Sequence, residues 1–148
     1  MRYLLLIHTD PELMATLPPD EFDRLMHGCI THADALEHEG RLIGSQQLED
    51  ASTARTLRVR GGALRVTDGP FAETKEFLAG YSLIEAESME AAVRMAEAWP
   101  WSRYGAVEVR PVRDFDAVRL RVGALERRAR VRPRPARCGP RRRLSAPG

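Results

Sequence analysis

The chain has 148 residues, and 43% of them are hydrophobic, which is enough apolar surface for one core but hardly for two. Its net charge of +2 combines two opposite parts, because residues 113–148 hold 12 Arg and 3 acidic residues (+9), whereas residues 1–112 hold 11 basic and 18 acidic residues (−7). Residues 1–112 therefore lack the basic balance that nucleic-acid binding requires, and nucleic acid is not an expected partner for them.

The first predicted element is a strand at residues 3–7, YLLLI, an unbroken apolar run short enough to be buried on both faces. The run is too short for a secretory signal, and no later stretch approaches the length of a membrane span. The two cysteines, Cys29 and Cys138, form neither a disulfide framework nor a zinc-binding spacing. We therefore expect the protein to lie in a reducing cytoplasm and to make no contact with a membrane.

A long helix is predicted next. Pro18 and Pro19 suit a first helical turn, acidic residues follow at the positive end of the helix dipole, and Gly40 is a suitable C-terminal stop. Apolar residues repeat between them at helical spacing, namely Phe22, Leu25, Met26, Cys29, Ile30, Ala33 and Leu36. This helix should lay its apolar stripe on a sheet.

Residues 41–47 predict a second strand, and residues 54–60 and 64–67 predict a hairpin that turns at Gly61 and Gly62. Apolar and polar residues alternate along both strands of the hairpin, which places four apolar side chains on one face: Leu57, Val59, Leu64 and Val66. We expect that face of the hairpin to be buried.

The remaining elements follow from residue 77 onward. Residues 77–85 predict a strand with apolar residues on both sides, Ser88 is a suitable N-cap for a second helix that Pro100 cannot continue, and residues 106–112 predict the last strand. Past residue 112 the chain changes character, since residues 127–148 are mainly Arg, Pro, Gly and Ala and no helical or strand period continues beyond about Leu125. We therefore predict one domain over residues 1–112 and a largely disordered tail over residues 113–148.

The order of the elements predicts an α+β fold, a ferredoxin-like antiparallel sheet with two helices on one face and an extra hairpin. Two helices can cover only one side of the sheet, yet the strands at residues 3–7 and 77–85 are apolar on both sides. A second copy of the same sheet is the simplest cover for the other side. We therefore expect a homodimer.

Four histidines raise the question of a metal site. On the predicted helix, His27 and His32 point roughly 140° apart, and His27 and His38 lie about 16 Å apart along the axis, so no pair there can chelate one ion. We expect these three histidines to be solvated and no metal to be bound. His8 ends the first strand, where it is either a cleft residue suited to proton transfer or a surface residue.

The most unusual stretch is TDGPFAETKEF, residues 67–77, directly before a strand buried on both faces. It contains Asp68, Glu73, Lys75 and Glu76, and Lys75 is the only lysine of the chain. A carboxylate held near an ammonium can keep a base ionised or an acid poised, so Asp68, Lys75 and Glu76 are candidate catalytic residues. The simpler alternatives are an ordinary turn at Asp68 and an ion pair of Lys75 with Glu73 or Glu76.

The sequence DGPFAETKE, residues 68–76, closely resembles the signature of the DGPF branch of YCII-related proteins, and MRYLLLIH, EAAVRMAEAWP and EVRPV lie where that family has their counterparts. The resemblance covers about residues 1–112. It implies a ferredoxin-like domain that dimerises through its sheets, similar to the dimeric α/β-barrel superfamily, with a cleft between sheet and helices. The candidates that it implies for this cleft are Asp68, Lys75, Glu76 and Arg110, to which we add His8 as a catalytic candidate and Phe71 and Tyr81 as substrate contacts.

One feature of related proteins does not carry over. Other YCII-related proteins have been suggested to pair a histidine of the first helix with an aspartate. When the chains are aligned through residues 39–42, that histidine position holds Cys29 here. The proposed His/Asp pair is therefore not expected in this chain.

The resemblance leaves two functions open. One is a small-molecule enzyme of the lyase, isomerase or dehalogenase type, which moves protons without a metal or an organic cofactor. The other is a non-catalytic ligand-binding or regulatory module, because genes of this kind often neighbour those of extracytoplasmic-function sigma factors. A nucleic-acid or acidic partner for the Arg-rich tail is permitted by composition and supported by no motif.

Overall fold

The computed structural model of the chain describes residues 1–124. Its elements are β1 (Arg2–Thr9), α1 (Pro11–Ala15), α2 (Pro19–His38), β2 (Leu42–Gln47), β3 (Arg55–Arg60), β4 (Ala63–Asp68), β5 (Phe77–Glu85), α3 (Met89–Ala96), β6 (Gly105–Pro111) and α4 (Phe115–Arg121). Two short 3-10 helices lie at Ala51–Thr53 and Pro100–Arg103. None of the helices within residues 1–124 is long and apolar enough to cross a membrane.

Four strands form the main sheet in the order β2-β5-β1-β6, and every neighbouring pair is antiparallel. Leu5 at the centre of β1 pairs with Ser82 of β5 on one side and with Val109 of β6 on the other. Helix α2 joins β1 to β2, and α3 joins β5 to β6. This order confirms the predicted α+β, ferredoxin-like fold.

The long helix α2 has the ends that the sequence predicts. Pro19 occupies its first turn together with Asp20 and Glu21, and its last turn is followed by Gly40 at a φ of 70°. That conformation favours glycine and lets the Gly40 N–H donate to the carbonyl of Glu37 at 2.9 Å. The shorter helix α3 begins at Ser88, whose hydroxyl accepts the N–H of Ala91 at 3.1 Å.

The core lies between the two helices and one face of the sheet. On β1 every second side chain points into it, and the matching positions of β5 lie beside them. The most deeply buried members are Tyr3, Leu5, Leu36, Ile84, Ala92 and Trp99. Ser82 is also buried, and its hydroxyl is satisfied by the hydroxyl of Ser45 at 2.8 Å.

The other side of the main sheet, here called the open face, is formed by the alternate side chains of the same strands. These side chains stay half-buried or exposed in the single chain. They are Leu4, Leu6 and His8 of β1, Leu78, Tyr81 and Leu83 of β5, and Glu108 and Arg110 of β6. The strands β1 and β5 are thus apolar on both sides, as predicted.

Strands β3 and β4 form a separate two-stranded sheet rather than an extension of the main one. Gly61 and Gly62, with φ of 58° and 78°, make the two-residue turn that the sequence predicts. The apolar face of this hairpin was expected to be buried, and in the single chain that expectation is wrong. Its four side chains are between 53% and 62% exposed: Leu57, Val59, Leu64 and Val66.

A second unit begins at Arg113, after the unit Met1–Val112. Its helix α4 lies inside the segment predicted to be a disordered tail, and Asp114 caps it by accepting the N–H of Asp116 at 2.9 Å. Residues 125–148, the greater part of the predicted tail, lie outside the described residues. The short helix at Phe115–Arg121 was therefore not predicted from the sequence.

Candidate functional site

A cleft of about 380 Å³ lies between α2 and the helix-covered face of the main sheet. Its wall is largely aromatic and aliphatic, with side chains from α1, α2 and the segment around the second 3-10 helix. The main apolar contributors are Met14, Phe22, Met26, Ile30, Trp99 and Trp101. The rings of Phe22 and Trp101 lie 5.8 Å apart, so these two elements are held together at the cleft wall.

A few polar groups interrupt this apolar wall. Ser45 and Gln47 reach the cleft from β2, and Asp34 and Cys29 reach it from α2. Burial raises the pKa of the Cys29 thiol, and an interaction with the Trp101 side chain offsets only part of that effect. An apolar pocket with a few polar groups is the usual composition of a small-molecule site.

The sole lysine is held at a buried carboxylate that the sequence analysis did not select. The Nζ atom of Lys75 lies 3.4 Å from Oδ2 of Asp10, a residue that is only 3% exposed, and 3.9 Å from Oε2 of Glu12. Lys75 thus bridges to the start of α1. The expected pairing with Glu73 or Glu76 is replaced by this contact with Asp10 and Glu12.

The pKa of Asp10 reflects opposing effects. Burial raises the pKa of Asp10. Two other groups lower it by a larger amount, namely the backbone N–H of Glu12, which donates to Oδ1 at 2.9 Å, and the Lys75 ammonium. The net result is a pKa below the usual range for aspartate. Asp10 is therefore an anion that caps α1 and anchors the loop carrying Lys75.

Three other candidates lie at the end of β4 or in the loop between β4 and β5, and their side chains are exposed. Asp68 is 87% exposed and lies 3.3 Å from Nε of Arg55, its cross-strand partner. Phe71 is exposed, and its carbonyl accepts a hydrogen bond from Arg58 at 2.6 Å. Glu76 is also exposed. None of these side chains, and not Lys75 either, lines the cleft within the described residues.

The remaining three candidates, His8, Tyr81 and Arg110, lie together on the open face. His8 Nε2 is 4.0 Å from Oε2 of Glu108, and the other carboxylate oxygen of Glu108, Oε1, accepts a hydrogen bond from Nε of Arg110. This ring nitrogen is buried and has no hydrogen-bond partner among residues 1–124. The structure thus separates the predicted site residues into a loop group and an open-face group.

The helix histidines are not all solvated. His27 and His38 are exposed, as expected, but His32 packs edge-on against Trp99 with the ring centroids 4.9 Å apart. The expectation of a solvated His32 is therefore wrong, because this position of α2 faces the segment that follows α3. No group of three metal-binding side chains occurs within the described part of the chain.

Asp10 is the main residue that sequence reasoning missed. The signal was present as Asp10 followed by Pro11, since aspartate at the N-cap and proline in the first turn are typical of a helix start. The polar cleft residues Ser45, Gln47 and Asp34 had no such signal. They come from separate elements, and only the fold brings them together.

Comparisons with known proteins fit this picture. The family model of the YCII-related domain matches residues 1–116. The chain is 34% identical over 116 residues to an uncharacterized protein of Rhizobium meliloti (strain 1021), covering 76% of this chain and 92% of that protein.

A similar solved structure is 5-chloro-2-hydroxyhydroquinone dehydrochlorinase from Burkholderia phenoliruptrix AC1100 in complex with 2,5-dihydroxybenzoquinone. The sequence identity is 15% and the TM-score is 0.40, with 79% of this chain and 98% of that chain covered. At this level of similarity, no residue role or ligand is transferred from that enzyme.

Proposed function

Because the chain belongs to the YCII-related domain family, we propose that it binds a small molecule in the cleft between α2 and the main sheet and transforms it without a metal or organic cofactor. The observation that carries this proposal is the cleft itself. Its volume of about 380 Å³ suits a small metabolite, and its wall combines aromatic rings with the polar groups of Ser45, Gln47 and Asp34.

The position of Cys29 supports the same location. This residue stands where related proteins carry the histidine that has been suggested to act, and the structure places it in the cleft wall. With its pKa raised by burial, the Cys29 side chain is a neutral thiol at neutral pH. Cys29 in this chain therefore shapes the pocket, and proton transfer falls to other groups.

For proton transfer we propose the loop that follows β4. Asp10, the partner of Lys75, directly follows Thr9, and its carbonyl accepts the N–H of Met14 at 2.9 Å; Thr9 and Met14 both line the cleft. A lysine and an ionised carboxylate in contact can supply an acid and a base, which suits a lyase, isomerase or dehalogenase reaction. Asp68 is the last residue of β4 and Glu76 lies at the end of this loop, and movement of this region is required to bring their side chains to a ligand.

A second candidate function is ligand binding without turnover, in a regulatory module. It is favoured by one specific observation, since none of the candidate catalytic side chains lines the cleft within the described residues. The two functions share the same ligand site and differ only in whether the bound molecule is changed.

We also propose that the chain works as a homodimer in which the open face is covered by a second copy. Leu4, Leu6, Leu78 and Leu83 lie on this face and remain partly exposed in the single chain. A contiguous apolar surface of this kind on a sheet is typical of an interface. Light scattering of the purified chain at micromolar concentration should give twice the monomer mass, and a monomer would contradict this proposal.

The test of the ligand site is a thermal-shift screen with a metabolite library, followed by mass spectrometry of each hit after incubation. Ala33→Trp should fill the cleft and abolish the stabilisation by a hit, because Ala33 lines the cleft. Ala35→Trp is the matched control, since Ala35 is exposed on the same helix. Equal stabilisation of both variants would place the ligand elsewhere, and conversion of the hit decides between the enzyme and the binding module.

A further inference from the structure

The hairpin of β3 and β4, here called the arm, exposes an apolar surface that a stable domain does not leave in water. Leu57 pairs with Val66 and Val59 with Leu64, so the four side chains form one contiguous patch. Each is more than half exposed, although the other face of the arm carries the polar residues. A two-stranded hairpin is marginal on its own, and one with this surface requires a partner.

Charge indicates which partner the arm fits. Residues 55–68 hold four Arg and one Asp, a charge of +3, while residues 1–112 as a whole carry −7, so the rest of that unit carries −10. The basic arm is therefore attracted to the acidic body of another copy of the chain. It is repelled by another arm, and by residues 113–148, which carry +9.

The apolar surface that matches the arm lies on the same chain. The open face presents leucines from β1 and β5, and these are likewise only partly buried. Two chains can satisfy both surfaces at once, each giving one arm and receiving one. Such a reciprocal exchange is closed by a two-fold axis and leaves neither of these two surfaces free to bind a third chain.

We propose that the arm of each chain packs its apolar face against the open face of the sheet in a second copy. This inference rests on the homodimer proposed above and names the element that holds it together. It is independent of the ligand cleft, which lies on the opposite side of the sheet. The partner that we propose is a second copy of this chain, and the charge of residues 113–148 disfavours them in this role.

The first test compares two double variants of the full chain by light scattering at several concentrations. Val59→Ser with Leu64→Ser removes apolar surface from the docking side, whereas Arg60→Lys with Ala63→Ser changes the neighbouring cross-strand pair on the polar side and keeps the charge of the arm. The first variant should weaken dimerisation at least tenfold and the second should leave it within about twofold of the parent. Circular dichroism confirms that both variants are folded, and equal dimerisation of the two would overturn the arm while leaving the dimer and the ligand site intact.

The second test identifies what the arm touches. A photo-crosslinking amino acid at Leu64, in a mixture of isotope-labelled and unlabelled full-length chains, should join the arm to peptides of residues 1–9 or 77–85 of the other chain. Crosslinks between two arms, crosslinks to residues 113–148, or crosslinks confined to one chain each contradict the proposal. The same experiment on the variant with Arg60→Lys and Ala63→Ser should give the crosslinks of the parent.

Discussion

The ammonium of Lys75 and the buried carboxylate of Asp10, 3.4 Å apart, form a contact whose electrostatic consequence can be measured directly. The folded pKa of Asp10 is lower than its usual value, so the ionised carboxylate stabilises the fold above the unfolded pKa of about 3.8. That stabilisation is lost as the pH falls through the lower folded pKa. The contact therefore matters on the acid side of the stability curve.

Replacing Lys75 by methionine should raise the pKa of Asp10, because one of the groups that lower it is removed. The measurement is an NMR titration of the Asp10 side-chain carboxyl carbon in both chains. Glu12→Gln is the control, since it keeps the backbone N–H that donates to Asp10. A pKa of Asp10 that is unchanged in Lys75→Met would show that the ion pair is not formed in solution.

A second prediction at Lys75 concerns function. Lysine can lose its proton and presents a compact charge, whereas arginine stays charged and is planar, so Lys75→Arg tests whether these properties are needed. Its folding stability should stay within about 1 kcal/mol of the parent, because the side chain is 73% exposed. Most binding or turnover of the ligand found in the screen should nevertheless be lost.

Asp68→Ala should reduce function as much, because the proposed movement brings its carboxylate to the ligand. Full activity in Lys75→Arg would mean that the loop is a rigid turn that positions β5 and that the charge at Lys75 serves only to hold Asp10. Binding and turnover are measured with the same hit, so the two variants can be compared directly.

At the scale of the elements, the sequence predicts best where an apolar period is long. β1, α2, the hairpin, β5 and α3 were placed to within a few residues, because each shows several repeats of its period. Helix α1 has five residues and cannot show a period. The exposure of the hairpin's apolar face could not be predicted, because the alternation of residues identifies that face and carries no information about what covers it.

The candidate site was less predictable for a related reason. Its walls come from β1, α1, α2, β2, β5 and the segment near Trp101, so the spacing of these residues along the chain carries no signal. The charged loop from Asp68 to Glu76 stands out in the sequence because it is local. The sequence could therefore identify this loop, but it could not predict that Lys75 contacts Asp10 instead of the acidic residues next to it.

The pairing of β1 with β6 offers a test at the scale of an element. Gly105 pairs with Thr9, and a Cβ atom added there would lie only 2.2 Å from the carbonyl oxygen of His8. Gly105→Ala should therefore destabilise the fold by about 2–3 kcal/mol, because backbone must move to make room. Gly44→Ala is the matched control in β2, where a Cβ meets nothing within 4 Å.

Chemical denaturation of both variants measures this difference. A Gly105→Ala variant as stable as Gly44→Ala would mean that the end of β6 is displaced from β1 in solution. Because His8 lies beside this contact, the same variant should also shift the NMR signals of the His8 ring on the open face.

At the scale of the whole molecule, two apolar surfaces and two charge distributions have to be reconciled. In the unit Met1–Val112, α2 and α3 bury one face of the main sheet. The open face and the arm remain uncovered in the single chain. Its net charge of −7 is opposed by +9 in residues 113–148. Assembly through apolar surface and attraction through charge are thus separate properties of this chain, and salt distinguishes them.

Shortening the chain at Glu126 separates the two properties. Residues 127–148 hold nine Arg, no acidic residue and few large apolar residues, so they offer little surface to offset the entropy lost on ordering them. The shortened chain, with a net charge of −7, should melt within about 2 °C of the full chain and remain dimeric.

The comparison is made by calorimetry and light scattering at low salt and again at about 0.5 M salt, where charge attraction is screened. A loss of more than about 5 °C that occurs only at low salt would show that the basic segment binds the acidic unit. A loss at both salt concentrations would show that it docks through apolar contacts and would contradict the prediction that the fold does not need it.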